Sequence, residues 1–192
     1  MNNEQNKKFQ PEKPITLCGM MGAGKSAIGR HLALIADLEF VDLDKVITQK
    51  ENRSISEIFA EQGETYFRQT EREVLQSLWQ KADRVIALGG GALQDREFAS
   101  RIQQNTLLIY LKAPVQVLMD RLKGRTHRPL LYNSDGSMKS EEELEIFLNE
   151  LAAKRDPEYQ KAHIHFEVNN ESDQKSTANR LWLKILEHEK QS

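Results

Sequence analysis

Residues 19–26 read GMMGAGKS and satisfy the pattern G-x-x-x-x-G-K-[ST]. No other stretch narrows the fold as far. The pattern works chemically at one kind of place, a loop that leaves a buried strand and enters a helix. ITLC stands directly before it. AIGRHLALIA follows directly, with Ile28, Leu32 and Ile35 on one helical face. Glycines at 19, 22 and 24 let the backbone turn tightly and aim its N–H groups at an anion. The helix adds the positive end of its dipole. Lys25 would reach the β- and γ-phosphates of a nucleotide, and the Ser26 hydroxyl would ligate Mg²⁺. A glycine-rich turn can be structural only, but the complete motif between strand and helix points to nucleotide binding. It leaves open which phosphate moves, and onto what.

Beyond the motif the chain alternates. LEFVDLD (38–44) reads as a second strand ending in two aspartates. Two helical segments follow: ISEIFAEQG, with Ser54 and Glu57 as a capping box, and TYFRQTEREVLQSLWQKA. RVIALGGG runs as a strand into three glycines, DREFASRIQQN is helical, and TLLIYLKA is a strand. Pro114 suits the first turn of the helix PVQVLMDRLKG. RTHRPLLYNSDGSMK has no period and is expected to be a loop. Ser140 and Glu143 cap a long helix towards AAKRDPEY, IHFEV is a last strand, and STANRLWLKILEH a last amphipathic helix. Trp79 and Trp182 occupy apolar helical positions and are expected in the core. This order predicts a parallel sheet covered on both faces, with ligands beyond the carboxyl ends of its strands. Gly19–Ser26, Asp42, Asp44 and Gly89–Gly91 all fall there.

With 192 residues the chain suits one domain, expected over 15–190 after a disordered leader of residues 1–14. That leader has no apolar core and does not read as a secretory signal. The chain's 27 basic and 29 acidic residues leave a net charge of −2, which argues against a nucleic-acid or membrane surface. No apolar run approaches the roughly 20 residues of a membrane span. The one cysteine, Cys18, excludes an intramolecular disulfide, and a cytoplasmic location is expected. The five histidines show no zinc-like spacing.

Several constellations read two ways on spacing alone. In an extended chain Asp42 and Asp44 would lie on one side, one to hold a metal through water and one to orient or deprotonate a hydroxyl; equally, Asp44 could cap the next helix. Three glycines at 89–91 exceed the needs of a turn and suit a ligand that approaches the backbone closely. Arg68 and Glu71 are helical neighbours, by default a surface ion pair, and Arg155 could simply favour a helix end before Pro157. Lys123, Arg125, His127 and Arg128 are either solubility charge or a lid whose arginine closes on a phosphate. Met20 and Met21 have no role in the cradle, and at least one is expected to pack beneath it.

Taken together, GMMGAGKSAIGRHLA, FVDLD, RSISEIFAEQGETYFRQTE, VIALGGGAL, RPLL and LAAKRDPEY resemble the shikimate kinase family over nearly the whole chain. The P-loop is common to many proteins; the set DLD, FRQTE, GGG and RPLL at these separations is specific. The resemblance implies a three-layer α/β/α P-loop NTPase fold of the NMP-kinase type with a five-stranded parallel sheet. It implies a substrate-binding helical region near 45–75 and a lid near 125–138. The implied reaction moves the γ-phosphate of ATP, with Mg²⁺, to the 3-hydroxyl of shikimate, a step towards chorismate and the aromatic amino acids. Carried over by position, Lys25, Asp44 and Arg128 are catalytic. Gly22, Ala23, Gly24, Lys25, Ser26, Ala27, Arg121 and Arg128 bind ATP; Ser26 and Asp42 hold Mg²⁺. Asp44, Arg68, Gly89, Gly90, Gly91 and Arg155 bind shikimate. No nucleic-acid or membrane partner is implied, and the state expected is a monomer.

Other readings stay in view. A gluconate or nucleoside-monophosphate kinase would share the cradle, but would leave GGG, or a carboxylate clamp, unexplained. A regulatory protein without catalysis is opposed by intact Lys25, Ser26, Asp44 and Arg128. A nucleic-acid module is opposed by the near-neutral charge.

Overall fold

The computed structural model describes residues 11–123, 129–133, 135–170 and 173–191. Five parallel strands form one sheet: β1 Ile15–Cys18, β2 Glu39–Asp42, β3 Arg84–Ala87, β4 Leu107–Lys112 and β5 Ile164–Glu167, in the order β2-β3-β1-β4-β5. The helices are α1 Lys25–Ala36, α2 Leu43–Glu51, α3 Ile55–Leu78, α4 Arg96–Asn105, α5 Val115–Leu122, α6 Glu141–Tyr159 and α7 Gln174–Glu189. A 3₁₀ turn spans Pro129–Leu131.

All four residues of β1 are buried, as are five of the six in β4, the pattern of strands covered on both faces. Thr16 is the polar exception in β1; its hydroxyl meets that of Thr106 at 2.6 Å, so neither is buried without a partner. From β1 the chain returns through α1 to β2, two places to one side; from β3 it passes through α4 to β4, on the other side of β1. Right-handed crossovers in opposite directions put α1 and α4 on opposite faces and open a crevice at the carboxyl ends of β1 and β3. The nucleotide loop leaves β1 there, and the triple glycine leaves β3.

Most expected elements are present, with five differences. LEFVDLD does not run extended to its end: β2 stops at Asp42, and α2 begins at Leu43, inside the stretch expected as strand and just ahead of the helical region that the resemblance implies near 45–75. Asp42, not Asp44, caps it, accepting from the Lys45 N–H at 3.4 Å. The two expected segments at 55–82 run on as α3, broken at Gly63, where φ is 81°. Pro114 stands at the N-cap of α5, one position before the first turn. The helix carrying Arg155 does not end before Pro157 but continues to Tyr159, since within the last turn a proline costs one backbone bond. Finally, Pro11 is buried and the Pro14 carbonyl accepts from Leu107 N–H at 2.9 Å, so residues 11–14 belong to the fold and not to the leader. Residues 1–10 lie outside the described residues.

Both capping boxes form, at Ser54/Glu57 and Ser140/Glu143. Met20 and Met21 are both buried beneath the loop, Trp79 is buried, and Trp182 is half-buried against the core. Among the described residues no helix is long and apolar enough to cross a membrane.

Candidate active site

The loop Gly19–Gly24 is shaped by what it must avoid. Gly19 has φ of 140°, and a methyl group there would stand 2.6 Å from the Leu111 carbonyl oxygen on β4. Only glycine lets the chain leave β1 this close to its neighbour. Lys25 Nζ donates to the carbonyls of Gly19 at 2.7 Å and Met20 at 3.1 Å, which sets the ammonium across the mouth of the loop. Ser26 Oγ donates to Asp42 Oδ2 at 2.7 Å. A hydroxyl and a carboxylate side by side are hard oxygen donors, and a set this small suits Mg²⁺, which keeps water and phosphate oxygens as its other ligands. Arg121, on α5, reaches back to the loop: its Nη1 donates to Ala23 O at 3.2 Å, its Nη2 to Asn169 O at 2.8 Å and its Nε to Asn170 Oδ1 at 3.1 Å.

One cleft of about 1100 Å³ is lined by Gly22, Gly24, Lys25, Ser26, Ala27, Asp42, Asp44, Gly90 and Arg121. The cradle therefore shares one space with Asp44 and Gly90 of the expected acceptor side, while Arg155 lines a smaller cavity that also borders Gly90.

The triple glycine does more than turn the chain. A methyl on Gly89 would stand 2.8 Å from Asp44 Oδ1 and 3.0 Å from Glu71 Oε1. On Gly90 it would meet Arg155 Nη1 at 2.9 Å, and on Gly91 Arg68 Nη2 at 2.5 Å. Three successive residues thus each carry a different charged side chain where a Cβ would be. Those side chains arrive from the neighbouring helices α2 and α3 and, much later in the chain, from α6. The carbonyls of the run are all engaged: Gly89 O by Ala92 N–H, Gly91 O by Gln94 N–H, and Gly90 O by the Tyr159 hydroxyl at 2.8 Å. Among the described residues the three N–H groups have no partner. Donors beside two guanidinium groups form a receptor for a carboxylate, and Asp44 adjoins it as an acceptor for a hydroxyl.

Glu71 is the residue that the sequence reading undervalued. Its ion pair with Arg68, at 2.7 Å, is not on the surface: the Glu71 side chain is 3% exposed. Oε1 has no hydrogen-bond partner among the described residues. Burial, opposed by Arg68 and assisted by the charge of Asp44, raises its pKa above the usual carboxylate range. A raised pKa means that the folded state resists ionisation, so this stability is present below the unfolded pKa and lost as pH rises through the folded one. Glu71→Gln removes that loss while leaving an acceptor for Arg68. Its melting temperature relative to the parent is expected to be higher at pH 8 than at pH 4.5, by calorimetry; an equal difference at both would show that Glu71 ionises without cost.

Not every expected residue can be placed. Arg125, His127 and Arg128 lie outside the described residues, and so does the start of the expected lid. Its described remainder holds the 3₁₀ turn, a buried Leu131 and a bridge between Tyr132 and Met138. Sequence reasoning missed Tyr159 altogether, although its place four residues after Arg155 puts both on one helix face.

A three-layer α/β/α sheet with a nucleotide loop after its central strand, facing an acceptor pocket, defines a P-loop small-molecule kinase. The sequence pattern of the family described as Shikimate kinase matches residues 21–186. A shikimate kinase of Chlorobium chlorochromatii is 43% identical over 80% of this chain and 81% of its own length. One of Chlorobaculum parvum is 37% identical over 91% and 92%. The solved shikimate kinase of Acinetobacter baumannii, in complex with shikimate, superposes with a TM-score of 0.81 at 34% identity, covering 94% of this chain and 95% of its own. This chain belongs to the shikimate kinase family.

Proposed function

We propose that this protein transfers the γ-phosphate of ATP to the 3-hydroxyl of shikimate, giving ADP and shikimate 3-phosphate. The observation that carries the reading is the glycine run: Gly89 lies against Asp44, Gly90 against Arg155 and Gly91 against Arg68, and Asp44 and Gly90 line the cleft that also holds the P-loop. Shikimate offers what that arrangement receives, a carboxylate and ring hydroxyls, and the Acinetobacter baumannii relative carries shikimate.

The roles follow from position. Arg68 and Arg155 grip the carboxylate with the N–H groups of Gly89, Gly90 and Gly91, and so orient the ring. Asp44 accepts the hydrogen bond of the attacking hydroxyl, and its proton as the new P–O bond forms and the bond to ADP breaks. The loop Gly22–Gly24, Ala27 and Arg121 hold the nucleotide. Lys25 moves from the loop carbonyls to the phosphoryl oxygens. Ser26 and Asp42 hold Mg²⁺, which neutralises phosphate charge when bound. Arg128 closes from a lid over 125–138, and α2 with the first half of α3 forms the substrate-binding region. Catalysis of this kind rests on positioning and charge, which the chain supplies without a covalent intermediate. The enzyme acts as a monomer in this proposal, because one chain contains every residue assigned a role, and its single cysteine suits the cytoplasm.

Purified protein with ATP and Mg²⁺ is expected to release ADP only when shikimate is added. Equal turnover with gluconate or AMP would overturn the substrate. Nucleotide binding with no turnover on any acceptor would favour a regulatory protein.

A further inference from the structure

Helix α6 touches the glycine run twice. Arg155 reaches Gly90 through Nη1, and one turn later Tyr159 donates its hydroxyl to the Gly90 carbonyl at 2.8 Å. Tyr159 is 2% exposed, and its ring lies 5.0 Å from that of Tyr110 on β4. Tyr110 in turn donates to Asp156 Oδ1 at 3.0 Å, which ties the same turn of α6 to the sheet. The Tyr159 bond has a directional consequence. In a trans peptide the carbonyl of one residue and the N–H of the next point in opposite directions within one plane. Holding Gly90 O therefore sets the direction of the Gly91 N–H, one of the three donors that have no partner among the described residues. The turn closed by Ala92 N–H on Gly89 O restrains the run, but with glycine at both central positions it accommodates either orientation of the Gly90–Gly91 peptide, and the Tyr159 bond selects one.

We propose that Tyr159 is a positioning residue for acceptor binding. It locks the Gly90–Gly91 peptide, and it does so from the helix face that carries Arg155, so that the backbone donors and the guanidinium hold one register. The inference rests on the reading of Arg68, Arg155 and the glycine N–H groups as the carboxylate receptor.

The test is Tyr159→Phe, which keeps the buried ring and removes the hydroxyl. A buried carbonyl left without its donor predicts a rise of about 5- to 20-fold in KM for shikimate. KM for ATP should stay the same and kcat should stay within about twofold. Tyr110→Phe is the control: it loses a bond of the same kind in the same ring pair but does not touch Gly90, and both KM values should hold. An unchanged shikimate KM in Tyr159→Phe, beside a raised one in Arg68→Leu, would overturn this inference alone. An unchanged shikimate KM in both would overturn the carboxylate reading with it. Equal losses in Tyr159→Phe and Tyr110→Phe, across both substrates, would reduce Tyr159 to a packing residue and likewise overturn the inference.

Discussion

Asp44→Asn is expected to lower kcat by about 100- to 10,000-fold, the usual span for loss of a positioned proton acceptor, with ATP affinity unchanged within about twofold. The substitution preserves shape and a hydrogen-bonding oxygen while removing the charge and the ability to take a proton. Asp44 lies in the first turn of α2, half-buried, its carboxylate against Gly89 and near Glu71. Two carboxylates this close oppose one another, and the Asp44 charge is one of the causes that raise Glu71. Removing it relieves that repulsion, so the variant should melt no lower than the parent. A slow but intact enzyme is thus the expected result, measured as ADP release at saturating shikimate with nucleotide binding followed by calorimetry. A fall of less than about tenfold would leave Asp44 a binding residue, not the proton acceptor.

Arg68→Leu is expected to weaken shikimate binding by about 100- to 1000-fold, since a charge-assisted fork to a carboxylate is lost. ATP binding should stay within about twofold, because the cradle and Arg121 belong to other elements. The same change strips Glu71 of its cation. Breaking a buried pair costs about 3–5 kcal/mol if the remaining group stays charged, and less once it takes up a proton. The variant should therefore melt lower, and more so at high pH, where Glu71 is ionised. Nucleotide affinity in the same sample separates the two effects: a protein that binds ATP normally but not shikimate has lost its clamp, not its fold. If ATP affinity fell equally, Arg68 would have no specific part in holding the acceptor.

What could be read from the sequence followed the range of each signal. Strand–loop–helix alternation is local, and so the sheet, its parallel sense and the place of the P-loop were legible. The start of helix α2 was not, because Leu43 and Asp44 continue an extended pattern and the stop is made by Asp42, whose side chain both caps the helix and meets Ser26. For Arg68 and Arg155, spacing offered an ion pair and a helix end; the resemblance alone singled them out. Glu71 looked exposed because its i,i+3 pairing is visible in sequence while the approach of Gly89 to its carboxylate is not. Gly90 and Tyr159, 69 positions apart, are joined by a contact no local pattern announces.

The strand order also sets a timetable for synthesis. β1 lies at the centre of the sheet, yet its neighbours are β3 and β4: Ile15 pairs with Val85 on one side and Leu107 on the other. After β1 emerges from the ribosome it has no sheet partner until roughly 65 more residues are made, on the order of 3–13 s at ordinary rates of translation. For that interval the chain exposes ITLC and the apolar face of α1 together, the segment most exposed to misassembly and the natural grip for a chaperone. Of the five strands, the one that carries the nucleotide loop is therefore the first to be made, yet it gains its second neighbour only when β4 is complete.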